Sequence, residues 1–192
     1  MNEREKTAYH EAGHAVVQKL LGGYIREIRI DSDPDVGEGV FMRPSTVMVP
    51  GIGEIAKRNG GNEWQRWQEE IFGEIMLSLA GPVAEQLQID LHKGNCDEDY
   101  FWDRDEYFSD LMSAQDAVKR WQEVLYPDED YEVFIPDIAF EMVIELVQGI
   151  GAPFVQEIAQ LLLAKGCLQV PDVPEINPVP DYLSKLDLSE IV

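Results

Sequence analysis

The chain has 192 residues, 45% of them hydrophobic, with four Trp, seven Tyr and seven Phe; that is enough apolar material for one folded core and excludes a disordered polypeptide. A formal net charge of −22 argues against nucleic acid or an anionic membrane surface as a partner. Apolar runs such as 158–164 are too short to span a bilayer, no basic-then-apolar leader is visible, and Cys96 and Cys167 are too few for a disulfide framework, so a soluble cytoplasmic protein is expected.

The first predicted element is a helix whose apolar face is Ala8, Ala12, Ala15, Val16 and Leu20, stopped by Gly22-Gly23. It carries His10-Glu11-Ala12-Gly13-His14, the H-E-x-x-H pattern, and uses two of the three histidines. Residues four apart lie one above the other on a helix, so His10 and His14 can aim nitrogens at one ion. Zinc takes neutral imidazoles at about 2.0–2.1 Å, and a catalytic site keeps one position open for water. Glu11 lies one residue round the helix, where a carboxylate can serve as general base toward that water without ligating the metal. Gly13 costs about 1 kcal/mol in a helix interior, which predicts close approach of another segment.

Tyr24–Ile30 reads as a short strand, 31–38 as an acidic loop, and Gly39–Arg43 as a partner strand, together a small hairpin. Residues 43–61, with several Gly and two Pro and no clear period, are expected to form a loop or flap. Trp64, Trp67, Ile71, Phe72, Ile75, Met76, Leu79 and Ala80 mark an amphipathic helix that Gly81-Pro82 should interrupt or kink before Val83, Ala84 and Leu87 resume the face. A loop rich in acids and aromatics spans 94–108. A helix then runs from Asp110 to about Leu125, with Leu111, Ala114, Val118, Trp121 and Leu125 inward. Residues 136–149 and 153–164 give two more helices. The Pro-rich tail is expected to extend over the surface and end in a short helix near 181–188. The chain 1–192 therefore reads as a single domain, mainly α with a small β-hairpin and zincin-like, with a core at about 1–168 and a tail at 169–192.

Two histidines leave a third ligand to find. A third His in the pattern H-E-x-x-H-x-x-G-x-x-H is excluded, because Val17 and Leu20 occupy those positions. His92, beside Lys93-Gly94, suits a helix end better than a metal. The remaining candidates are carboxylates: Glu85 on the predicted helix, and Asp97, Asp99, Asp103, Asp105 and Asp110 in or after the acidic loop.

Thr7–Val17, Leu79–Glu85 and Ser109–Ala117, in that order, resemble the peptidase domain of FtsH-type ATP-dependent zinc metalloproteases. The resemblance implies that His10, His14 and Asp110 bind Zn2+, that Glu11 is the catalytic base, and that Glu85 supports the ligands from behind. It covers about residues 5–125. The sequence departs from the family in three ways. It holds no ATPase module or membrane span, Pro82 stands where an Arg is usual, and the stretch between Glu85 and Asp110 is longer, with seven acids from Asp97 to Asp110. The implied activity is hydrolysis of peptide bonds in flexible or unfolded polypeptide without ATP. An extended substrate would add as a strand to the edge of Tyr24–Ile30 or Gly39–Arg43. Two rival readings are a metal-binding but non-proteolytic adaptor on the same scaffold and a helical interaction domain with a chance motif. Glu11 counts against the adaptor, because a scaffold without catalysis has no chemical need for that carboxylate.

Overall fold

A capping box opens the first helix, α1 (Glu3–Leu20), in the computed structural model of the chain. The Asn2 side chain accepts from the Glu5 amide at 2.9 Å, and the Glu5 carboxylate accepts from the Asn2 amide at 2.7 Å. Both satisfy amides that a helix start leaves without partners. The structure describes residues 1–30, 37–42, 52–93, 108–128, 133–179, 182–185 and 188. Its other elements are β1 (Tyr24–Ile30), β2 (Gly37–Met42), α2 (Ile52–Asn59), α3 (Gly61–Lys93), α4 (Phe108–Leu125), α5 (Asp137–Gln148), α6 (Ala152–Lys165) and β3 (Cys167–Gln169). The fold is mainly helical with a small antiparallel sheet, as the periodicity predicts.

The α1 helix runs through the centre, packed on α3, α6, α5 and the sheet. Ala8, Ala12, Ala15, Val16, Val17 and Leu20 have no exposed surface. The small residues let α3 approach closely: a methyl on Gly13 would overlap the Ala80 carbonyl and the Ala84 Cβ. This close approach is the packing reason expected for a glycine inside a helix. A second layer joins α3 to α4, where Phe72 and Trp121 meet edge to face at 5.9 Å and Arg120 pairs with Glu74 at 2.6 Å.

The sheet has three strands in the order β2-β1-β3, so the predicted hairpin has an extra partner. Leu168 of β3 pairs with Ile28, and both are fully buried. Gly166 ends α6 in the left-handed conformation (φ 77°), which only glycine adopts cheaply, and so turns the chain into β3. Three residues are too few to show an alternation, which is why β3 escapes a reading of the sequence. A register shift between Ile25 and Glu27 accounts for a second irregularity. Ile25 and Ile28 would face opposite ways in a regular strand, yet both are buried with Ile30.

Two expectations need correction. Residues 52–59, expected as part of a loop, form helix α2; the rest of the proposed flap, 43–51, lies outside the described residues. Helix α2 packs through Gly53, where a Cβ would press on Trp67 and Val124, and through the buried Ala56. Lys57 then donates to the carbonyls of Val124 and Leu125 at 2.7 and 3.0 Å, closing the end of α4. Gly81-Pro82 does not interrupt α3, which runs 33 residues through the proline. Pro82 removes one backbone donor, but the buried Ala80 and Ala84 hold this stretch against Gly13 of α1.

Helices α5 and α6 are bent by 73° at Gly149–Gly151 and bury Val143, Leu146, Ile158 and Leu162. The tail runs without regular structure from 173 to 179 and includes a 3-10 turn at Leu183–Lys185. It is anchored by the buried Ile176, Leu183 and Leu188, and by the Val179 amide donating to the Leu20 carbonyl at 2.9 Å. Among the described residues no single helix is long and apolar enough to cross a membrane.

Candidate metal centre

His10 and His14 stand one turn apart in the middle of α1, on the side that faces α3 and the start of α4. Their Nε2 atoms are 3.2 Å from each other. Asp110, in the first turn of α4, brings its carboxylate to the same point: Oδ2 is 3.0 Å from His10 Nε2 and Oδ1 is 3.6 Å from His14 Nε2. These three residues form a group that can hold a metal ion. Donors held at about 2.0–2.1 Å around a tetrahedral cation are about 3.3 Å apart, so the observed triangle is the right size for a small ion. Two imidazole nitrogens at 3.2 Å also need a proton or a cation between them, because two lone pairs at that distance repel.

The outer nitrogens of both rings are engaged. His14 Nδ1 donates to the Leu77 carbonyl at 2.8 Å, and His10 Nδ1 meets Glu85 Oε2 at 3.3 Å. A proton held on each Nδ1 leaves the Nε2 lone pairs facing the common point, the usual arrangement behind a metal-bound histidine. Glu85 is 5% exposed, so its carboxylate is sealed behind His10 rather than set among the ligand atoms. Glu11 is also buried, and its charge acts on His10.

Charge dominates the site. Burial pushes the His10 imidazolium toward losing its proton, but hydrogen bonds to Asp110 and Glu85, with the charges of Asp110 and Glu11, more than reverse this and raise its pKa to about 10. Burial likewise works against the Asp110 carboxylate, yet the two histidines hold it well below the usual carboxylate range. Asp110 also lies at the amino end of α4, where the helix dipole favours a negative charge.

The structure brings His10, His14, Asp110, Glu11 and Glu85 into one cluster. Asp97, Asp99, Asp103 and Asp105 lie outside the described residues. His92 falls in the last turn of α3, the position expected of a helix-end residue. Two features of the site have no counterpart in the sequence reading, the Leu77 carbonyl and Gly81. A Cβ on Gly81 would lie 2.6 Å from His10 Nε2 and closer still to His14 Nε2. The cost of glycine inside a helix singles out Gly13 and applies equally to Gly81, but the neighbouring Pro82 offers a ready explanation for that stretch and hides it. No known family model matches the chain, and no curated protein matches it.

Proposed function

We propose that this chain is a zinc-dependent metallopeptidase related to the FtsH-type peptidase domains, cleaving flexible or unfolded polypeptide without ATP. The observation that carries the reading is the meeting of His10 Nε2, His14 Nε2 and the Asp110 carboxylate at separations of 3.0–3.6 Å, with the buried Glu11 beside them. Nitrogen and carboxylate donors in this number suit zinc with one position left for water or substrate. These residues would hold a zinc ion that, when bound, would polarise a carbonyl and lower the pKa of water to about 7.

The chain's own residues do the rest. Glu11 accepts a proton as the water oxygen bonds to the peptide carbonyl carbon, and returns it to the amine nitrogen as the C–N bond breaks. Asp110 supplies the one anionic ligand, which partly offsets the cation's charge. Glu85 and the Leu77 carbonyl keep both imidazoles in the tautomer that presents Nε2. Strand β1 is paired with β2 along its length and with β3 at Glu27–Arg29, so substrate alignment by strand addition is assigned to the outer side of β2. The acidic chain favours cationic or neutral segments over nucleic acid, and a cytoplasmic location fits this reading.

The test is Glu11→Gln. The variant is expected to keep its zinc and to cleave casein about 10²–10⁴-fold more slowly than wild type, the usual loss for a missing general base. Equal cleavage by both overturns the mechanism. Zinc-loaded wild type that cleaves neither casein nor a peptide library favours the non-proteolytic adaptor.

A further inference from the structure

Leu77, Gly81 and Glu85 lie four apart on α3 and share one stripe of it. That stripe meets the two histidines of α1 in turn. Leu77 accepts from His14 Nδ1, Glu85 engages His10 Nδ1, and Gly81, midway between them, faces both Nε2 atoms. The three atoms nearest to a Cβ built on Gly81 all belong to the imidazoles: His14 Nε2, His10 Nε2 at 2.6 Å and His10 Cδ2 at 2.7 Å. Real Cβ contacts essentially never fall below 3.0 Å, so one partner would have to move. The rings have little room to retreat. Each is tied through Nδ1 to α3 itself, and α1 is already in contact with α3 at Gly13.

We propose that Gly81 is a positioning residue of the metal centre: its missing side chain lets the two Nε2 atoms come within 3.2 Å and leaves the space a zinc-sized cation needs. A side chain at 81 excludes the ion although every ligand remains. This rests on the metal reading above and adds to it a residue that donates no ligand atom. Gly13 shows what a purely structural glycine looks like in the same helix pair, since the atoms crowding it are the Ala80 backbone and the Ala84 Cβ rather than the ligand rings. The energetics at 81 have an unusual sign. Alanine is the better helix former, so substitution favours α3 while the imidazoles oppose it.

Purified wild type, Gly81→Ala, and Gly81→Ala in a His10→Ala/His14→Ala background test the proposal, with Co2+ as spectroscopic probe and Zn2+ affinity measured against a chelator. Wild type is expected to bind about one Co2+ per chain with tetrahedral ligand-field absorption. Gly81→Ala should lose that absorption and bind Zn2+ at least about 100-fold more weakly, the upper end of what changes around the ligands cause. In the histidine-free background Gly81→Ala should raise the melting temperature by about 2–4 °C, because only the helix-propensity gain remains. Gly81→Ala that binds Zn2+ as tightly as wild type overturns the proposal. If Gly81→Ala fails to fold, rescue by removing the two imidazoles supports it, and failure to rescue overturns it. Wild type that binds neither ion removes the metal reading itself. That outcome is distinct from wild type and Gly81→Ala binding alike.

Discussion

The two sides of the core differ in what they bury. On the side built from α1, α3 and α4 the interior holds Glu11, His14, Gln18, Gln68, Glu70, Glu85, Gln86 and Gln122. On the side of α5 and α6 the buried residues are apolar: Ala139, Met142, Val143, Leu146 and Val147 on one helix, Val155, Ile158, Ala159 and Leu162 on the other. Burying a polar group without a partner costs several kcal/mol at worst, so a protein selected only for stability has little reason to load one side this way. The first side is organised around converging donors, the second around close packing, and α1 belongs to both. Substitutions on the two sides should therefore fail in different ways.

The largest effects separate the two sides most sharply. His14→Ala or Asp110→Ala removes a proposed ligand and should strip the ion, read by elemental analysis after dialysis at neutral pH. Leu162→Ala deletes a fully buried side chain and should lower stability by about 2–5 kcal/mol in a denaturant titration, while the ion content stays at the wild-type level. The comparison breaks if His14→Ala keeps its metal, or if Leu162→Ala loses metal while still folded. Next in size is Glu85→Gln. It keeps the shape of the group behind His10 but removes the charge, and should weaken Zn2+ binding about 10–100-fold in competition with a chelator. If Glu85→Gln strips the ion and Asp110→Ala does not, the ligand role passes from Asp110 to Glu85.

Acidity sharpens the same contrast, because both strongly shifted groups of the site lie on the polar side. His10 has its pKa raised from 6.5 to about 10, so its pairing stabilises the fold fully below pH 6.5 and that contribution is lost as pH rises through about 10. Asp110 is shifted the other way, so its contribution is present above the ordinary carboxylate range and is lost as pH falls. A metal must displace the His10 proton to bind. Between pH 7 and 9 uptake should therefore release about one proton per ion, and affinity should rise about tenfold per pH unit. A pH indicator in weak buffer reads the release directly, and uptake with no proton released would mean that His10 is not a ligand.

The fold class was legible because α1, α3, α4, α5 and α6 carry apolar residues at helical spacing over more than ten residues each. Helix α2 was not legible. Ile52, Ile55 and Ala56 do keep helical spacing, but the helix has only eight residues, its tightest contact is made by Gly53 and Ile55 is half-exposed. Two turns of pattern beside Gly51, Gly53, Gly60 and Gly61 therefore read as loop. At the site, His10, Glu11 and His14 follow from spacing alone, since four residues on a helix fix their relation. Asp110 lies 96 positions after His14, and no local pattern links the two; it was one of several candidate carboxylates, the family resemblance preferred it over Glu85, and only the fold brings its carboxylate to the histidines. The Leu77 carbonyl was beyond reach, because every residue has one and only the crossing of α1 and α3 decides which carbonyl meets a ring.

The smallest effect concerns α1, the element common to both sides. Asn2 caps this helix together with Glu5, two turns before His10. Asn2→Ala leaves amides of the first turn without their partner and should cost about 1 kcal/mol of stability. The loss is confined to the helix start, because the four-residue spacing of His10 and His14 is fixed by hydrogen bonds further along and by the contacts of Gly13 with α3. Zinc affinity, measured where the variant is fully folded, should therefore match wild type. A drop in affinity of the size expected for Glu85→Gln would mean that the helix start and the ligand turn move as one unit. Ligand geometry would then depend on the stability of α1 as a whole, and the division between a packing side and a chemical side would not hold within that helix.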